Sequence, residues 1–236
     1  MEQKRTSQRL TIVGTTHVDK SSVERVLRII SDTRPSVVAL ELDEERLWAL
    51  KDPDRGRLDP PVHSGLLPWL LALLERSVGR LTDVFPGSEM LEAAEEAQRV
   101  GARLVMIDKP IATILTELAS MPFPEKVKIG VDVMGALLTI GTRQRPTQLA
   151  DASLDRLMAE FDAKYPTLSR ILVNERDRYM AHRLREILLS TTGQVVAVVG
   201  LGHVKGIMRH LSSDGQAPSG EPLRITYEWT LGTYSR

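Results

Sequence analysis

Residues 9–42, RLTIVGTTHVDKSSVERVLRIISDTRPSVVALEL, decide the fold class. "RLTIVG" is apolar and β-branched and ends at Gly14, the pattern of a buried strand. Val23, Val26, Leu27 and Ile30 then recur at helical spacing and form one stripe, which Pro35 stops. "SVVALEL" is a second strand of the same kind. Strand, helix and strand in this order make a βαβ unit, which predicts parallel pairing and a right-handed crossover.

The same alternation continues along the chain. "DEERLWAL" starts a helix, with Asp43 as its N-cap. A turn-rich stretch from Lys51 to Gly65 leads into a helical excursion through Ser77. Ser88 caps "EMLEAAEEAQRVG", and Gly101 stops it. "ARLVMI" is a third strand, which ends at Asp108. Helical patterns follow from about Ile111 to Ile140, near Ser153 to Phe161, and from about Thr167 to Leu189. "QVVAVVG" is a fourth strand, "HVKGIMRHL" the helix after it, and "LRITYEW" a last strand. This predicts an α/β fold with a mostly parallel central sheet flanked by helices. A single domain over residues 1–236 is expected, with a mainly helical insert at about 51–165.

Composition narrows the function. The 31 basic and 31 acidic residues balance, so no attraction to nucleic acid is expected. The absence of cysteine excludes disulfides, thiolate nucleophiles and Cys-ligated zinc or iron–sulfur centres. The basic N-terminus has no apolar core behind it and is not a secretory signal, so a cytoplasmic setting is expected. "GLLPWLLALL" (residues 65–74) and "VKIGVDVMGALLTIG" (residues 127–141) fall short of the roughly 20 apolar residues that span a bilayer. The first could cover a cleft or form a homodimer contact.

In open parallel sheets ligands bind beyond the carboxyl ends of the strands. Four polar groups are expected there: His17 after the first strand, Glu41 closing the second, Asp108 after the third and His203 after the fourth. Two imidazoles and two carboxylates can act as metal ligands or as acid–base groups. The two histidines also occupy equivalent Gly-x-x-His turns, Gly14 to His17 and Gly200 to His203. A histidine after a strand can equally cap its turn, and Thr15 and Thr16 either act as nucleophiles or cap their turn. Glu41 needs a cation to stay ionised, and Arg46 at the next helix start is in reach, either as a structural pair or within the site. On the long helix, positions i+3 and i+4 from Leu168, Ile171 and Leu172 place Glu175, Arg178, Tyr179 and His182 on or beside the buried face. Arg176, Asp177, Arg183 and Arg185 are expected in solvent. Charges at a buried face need partners, either as an ion-pair network or as walls of a polar pocket.

"VGTTHVDKSSVERV", "RPSVVALELDEERLWAL", "GARLVMIDKPIATIL", "NERDRYMAHRL" and "VVAVVGLGHVKGI" resemble, in order and spacing, successive blocks of the TraB/PrgY family of pheromone-shutdown proteins. The resemblance runs from about Leu10 to Leu211. Kinship with TIKI metallopeptidases, erythromycin esterase and the haem-binding ChaN protein implies an α/β fold with its site on one rim. It implies a metal-dependent hydrolase that acts on signalling peptides. His17, His203 and Glu41 would bind manganese, cobalt or zinc, and Glu175 would share the chemistry. Arg46, Arg178, Thr15, Thr16 and Asp108 would hold the substrate. The alternative it implies is a non-catalytic protein that sequesters a peptide or haem in the same cleft. Where members often have Asp-Arg-Asp after the third strand, this chain has Asp108, Lys109 and Pro110, so the second carboxylate is missing. Many members continue into membrane-spanning helices. This chain stops before any, as a soluble member or a trimmed domain would.

Overall fold

Strands form where the apolar β-branched runs lie: β1 (Leu10–Thr15), β2 (Val37–Leu40), β3 (Arg103–Met106), β4 (Val195–Gly200) and β5 (Ile225–Glu228). The computed structural model describes residues 10–15, 20–51, 88–139, 151–213 and 225–228. The sheet order is β3-β2-β4-β1-β5, and every pair is parallel. Leu10 lies between Val195 and Ile225, and Val37 lies between Val195 and Arg103.

The helices are α1 (Lys20–Thr33), α2 (Glu44–Lys51), α3 (Ser88–Arg99), α4 (Ile111–Ala119), α5 (Phe123–Thr139) and α6 (Asp151–Lys164). Then come the short α7 (Pro166–Ser169), a π-helical turn (Arg170–Asn174), α8 (Glu175–Ser190) and α9 (Leu201–Ser213). Two expected helix caps are present. Asp43 Oδ1 accepts the Arg46 N–H at 2.7 Å and caps α2. Gly101 follows α3 at φ 76°, the left-handed C-cap that glycine permits. The excursion expected through Ser77, with "GLLPWLLALL", lies outside the described residues.

Both sheet faces are covered, which explains why the strands read as unbroken apolar runs. Val13, Val38, Leu40, Val196 and Val198 pack with side chains of α1, α2 and α3. Leu10, Ile12, Ala39, Ala197 and Val199 pack with α8 and α9 on the other face. Each fully buried aliphatic side chain contributes roughly 1.5–3 kcal/mol. A third cluster joins Ile114 and Leu118 of α4 to Ile129 of α5, Leu168 of α7 and Ile171 of the π turn.

Gly14 lies inside β1 and does not end it. A Cβ there would stand 3.0 Å from Val204 and 3.1 Å from Leu201. The first glycine of the motif is thus the place where α9 packs down on the sheet. Neighbouring strands β2 and β4 send their following helices, α2 and α9, to opposite faces. That divergence opens a crevice at their carboxyl ends.

Candidate functional site

Glu41 follows β2 at the crevice and is buried. Its Oε2 accepts the Gly200 N–H, 2.6 Å away at the end of β4. Its Oε1 accepts from Arg176 Nη2 and lies 3.2 Å from His203 Nε2. Glu41 therefore joins two strands and two helices at one point.

Arg176 is the centre of the cluster. Its Nε and Nη2 donate to the two oxygens of Asp108 at 2.9 and 2.6 Å, a fork on a carboxylate. Nη2 also donates to Glu41. Nη1 donates to the Leu172 carbonyl at 3.1 Å and faces His203 Nε2 at 3.1 Å. All five N–H groups of the guanidinium are thereby engaged. Burial alone would favour loss of its proton. The charges of Glu41 and Asp108 and the bonds to them more than offset this and hold it firmly cationic.

A guanidinium has no acceptor, so the His203 nitrogen it faces must accept. That puts the ring proton on Nδ1, which donates to Asp177 Oδ1 at 2.6 Å. Burial raises the Asp177 carboxyl above its ordinary range, and its bond to His203 does not undo this. Gly206 of α9 makes room for Asp177: a Cβ on Gly206 would stand 1.8 Å from Oδ2.

Asp108 has a second cation. Arg46 Nη2 donates to its Oδ2 at 2.6 Å and also to the Lys109 carbonyl at 3.2 Å. Burial pushes Asp108 up, but Arg176 and Arg46 together hold it below the usual carboxylate range. Arg46 also bonds Asp43 Oδ2 at 3.1 Å, and the same oxygen accepts the Ile111 N–H at the start of α4. Farther out, Lys109 Nζ donates to Glu117 at 2.6 Å and to Glu175 at 2.9 Å, and Arg170 pairs with Glu175. The bond from Lys109 holds Glu175 low despite partial burial. Burial favours the neutral form of Lys109, but its two carboxylate partners outweigh this and raise it.

Of the expected residues, Glu41, Asp108 and His203 converge. Glu175 joins the outer ring. Thr15 is buried at the same rim, where its hydroxyl donates to the Val199 carbonyl at 3.4 Å. Thr16 and His17 lie outside the described residues. Three expectations are corrected. Arg46 pairs with Asp43 and Asp108 instead of Glu41. Arg178, Tyr179 and His182 are exposed. Arg176 and Asp177, expected in solvent, are the inward groups. Two features account for this. In the π turn Glu175 N–H bonds the Arg170 carbonyl five residues back, and one extra residue moves the face expected at Glu175 on to Arg176. Ile171 also packs with α4 and α5, whereas Met180, Ala181 and Leu184 pack on the sheet, so the buried face of α8 is not a continuation of the stripe through Ile171.

Among the described residues no group of three or more His, Asp or Glu is arranged to hold a metal ion. Glu41 Oε1 and His203 Nε2 are spaced as two donors of one ion would be, but the Arg176 guanidinium bridges them. A cleft of about 480 Å³ opens beside the cluster, between Asp43 and Asp108 at the rim, β3, and Tyr179 and Arg183 of α8.

Residues 2–216 match the family model of the TraB/PrgY/gumN family. The chain is 34% identical over 218 residues to the uncharacterized protein MJ1365 of Methanocaldococcus jannaschii, a match to 85% of this chain and 52% of that one. It is 30% identical over 240 residues to the TraB domain-containing protein of Mus musculus, covering 87% of this chain and 63% of the relative. The Homo sapiens protein of that name is 29% identical over the same length. The chain thus spans about half to two thirds of the length of these relatives. It belongs to the TraB/PrgY/gumN family.

Proposed function

We propose that the rim is the active centre of a metal-dependent hydrolase that acts on peptides. The observation that carries this reading is the pair of His203 and Asp177. The carboxylate fixes the ring proton on Nδ1 and leaves the Nε2 lone pair at the rim beside Glu41. A histidine held this way serves as a metal ligand or as a base for water. His203 and Glu41 would supply two donors, and His17 the third that the family resemblance implies. Manganese, cobalt or zinc all suit imidazole and carboxylate, and such an ion supplies Lewis acidity and a water that loses its proton near neutral pH. Arg176 would have to give up its bridge for an ion to take both donors. Its fork on Asp108 would hold it at the rim when it does.

The test uses tag-free protein titrated with each metal and a mixture of synthetic peptides assayed for cleavage. Metal binding and cleavage are expected to vanish in the His17→Ala, His203→Ala double variant. Asp177→Asn is expected to lower either by about 10–100-fold. Metal uptake that is unchanged in the double variant, or its absence from wild type, would overturn the reading.

A second reading rests on the full engagement of Arg176, which leaves the cluster charge-paired within itself. On that reading the protein sequesters a peptide or a haem in the adjoining cleft without chemistry. A haemin titration separates the two: a Soret shift in wild type that is lost in His17→Ala, with no peptide cleavage, favours sequestration.

A further inference from the structure

β3 is the edge strand of the sheet, and among the described residues no strand pairs with its outer side. Arg103 and Ile107 donate their N–H groups inward, to Ser36 and Leu40, each at 3.0 Å. In a parallel ladder alternate residues point the other way. The N–H and C=O groups of Leu104 and Met106 therefore face outward, and the side chains of both residues are only half-buried. This edge faces the cleft of about 480 Å³, which is lined by Leu104, Val105 and Met106. The cleft reaches Asp108 at the cluster, and Glu44 and Glu45, both exposed, stand at its mouth.

From this juxtaposition we infer that the outer edge of β3 binds an extended peptide by strand addition, with a cationic group of the peptide against Glu44 and Glu45. Three features point to this occupant. Outward main-chain groups at every second residue are what a peptide backbone recognises. Half-buried apolar side chains flank them, as alternate peptide side chains require. The strand runs straight into Asp108, so a paired peptide is led to the Arg176 cluster. A compact or planar ligand would leave the edge amides unanswered. The inference rests on the peptide hydrolase reading for the fate of the bound peptide, and it names the form in which the substrate arrives.

The experiment measures binding in the His203→Ala variant, so that turnover does not enter. The probe is a short synthetic peptide of alternating threonine and valine with a lysine at each end. Its twin carries N-methyl groups on alternate backbone nitrogens, which removes pairing donors and keeps the side chains. The unmodified peptide is expected to bind and to slow amide exchange at Leu104 and Met106. N-methylation is expected to weaken binding at least about tenfold. Leu104→Pro removes one outward donor without touching the ladder to β2, a position where an edge strand tolerates proline, and is expected to weaken binding similarly. The Glu44→Gln, Glu45→Gln double variant is expected to lose several-fold for the lysine peptide and nothing for a glutamine version. Equal binding of the methylated and unmethylated peptides, or no change in exchange at Leu104 and Met106, overturns strand addition. If the peptide binds as described but wild type never cleaves it, the hydrolase reading falls and strand addition stands.

Discussion

Asp108 shows how the cluster couples charge to stability. Its side chain is wholly buried between Arg46 and Arg176. Removing one partner from such a buried set costs about 3–5 kcal/mol, because the remaining charges lose their compensation. Asp108→Asn is therefore expected to lose about 3 kcal/mol near neutral pH. The folded-state carboxyl titrates below its ordinary value of 3.8. Its contribution is thus complete above 3.8 and is lost as the pH falls through the lower folded value. Urea unfolding of wild type and Asp108→Asn over an acid series should show a gap that closes below pH 3.8. A gap of constant size at every pH would mean that the charge is not what stabilises. At this scale the sequence was informative wherever a polar residue ended an apolar strand, which is how Glu41 and Asp108 stand out. It singled out Arg46 but not its partners: Asp108 is 62 residues away and is brought there by the strand order.

At the scale of elements, the pair α8 and α9 builds the site, and its two glycines behave oppositely. Among the described residues a Cβ on Gly202 would meet nothing within 4 Å, whereas one on Gly206 would strike Asp177. Alanine is favoured over glycine in a helix by about 1 kcal/mol. Gly202→Ala is thus expected to be neutral or stabilising by up to that amount. Gly206→Ala is expected to destabilise by about 1–3 kcal/mol through overpacking and to push Asp177 off His203. Thermal melts check the first difference. Ring nitrogen spectra of His203 check the second, since loss of the Asp177 acceptor alters the tautomer balance. An unchanged His203 spectrum in Gly206→Ala would show that Asp177 does not depend on the gap. The helices were legible from period and caps, but the inward face of α8 was not. A 3.6-residue period extrapolated from Ile171 assumes an unbroken helix with one buried face, whereas a π turn intervenes before Arg176 and Ile171 packs with α4 and α5 instead of the sheet. The run Asp177, Met180, Ala181, Leu184, Ile187 and Leu188, read backwards from the C-terminal half, carries the correct register.

For the whole molecule, strand order sets both where the site lies and how the sheet opens. Among the described residues β2, β4 and β1 sit in the interior of the sheet, while β3 and β5 are its edges. Neither that order nor the switch point was readable from pattern alone. Five apolar runs specify a parallel sheet without saying which run neighbours which. The order has a consequence for amide exchange that does not depend on any ligand. Interior strands covered on both faces open only with global unfolding, so the amides of Val196 and Val198 should exchange at the slowest, global rate. On β3 the rates should alternate along one strand. Ile107, bonded inward to Leu40, should be protected, and Leu104 and Met106, directed outward, should exchange faster by orders of magnitude. Exchange resolved by NMR on the free protein checks this directly. Uniform protection along β3 would mean that its outer edge is paired, and the cleft would then be closed to an incoming strand. Alternation instead leaves a free edge that ends at Asp108, where the buried arginine cluster begins.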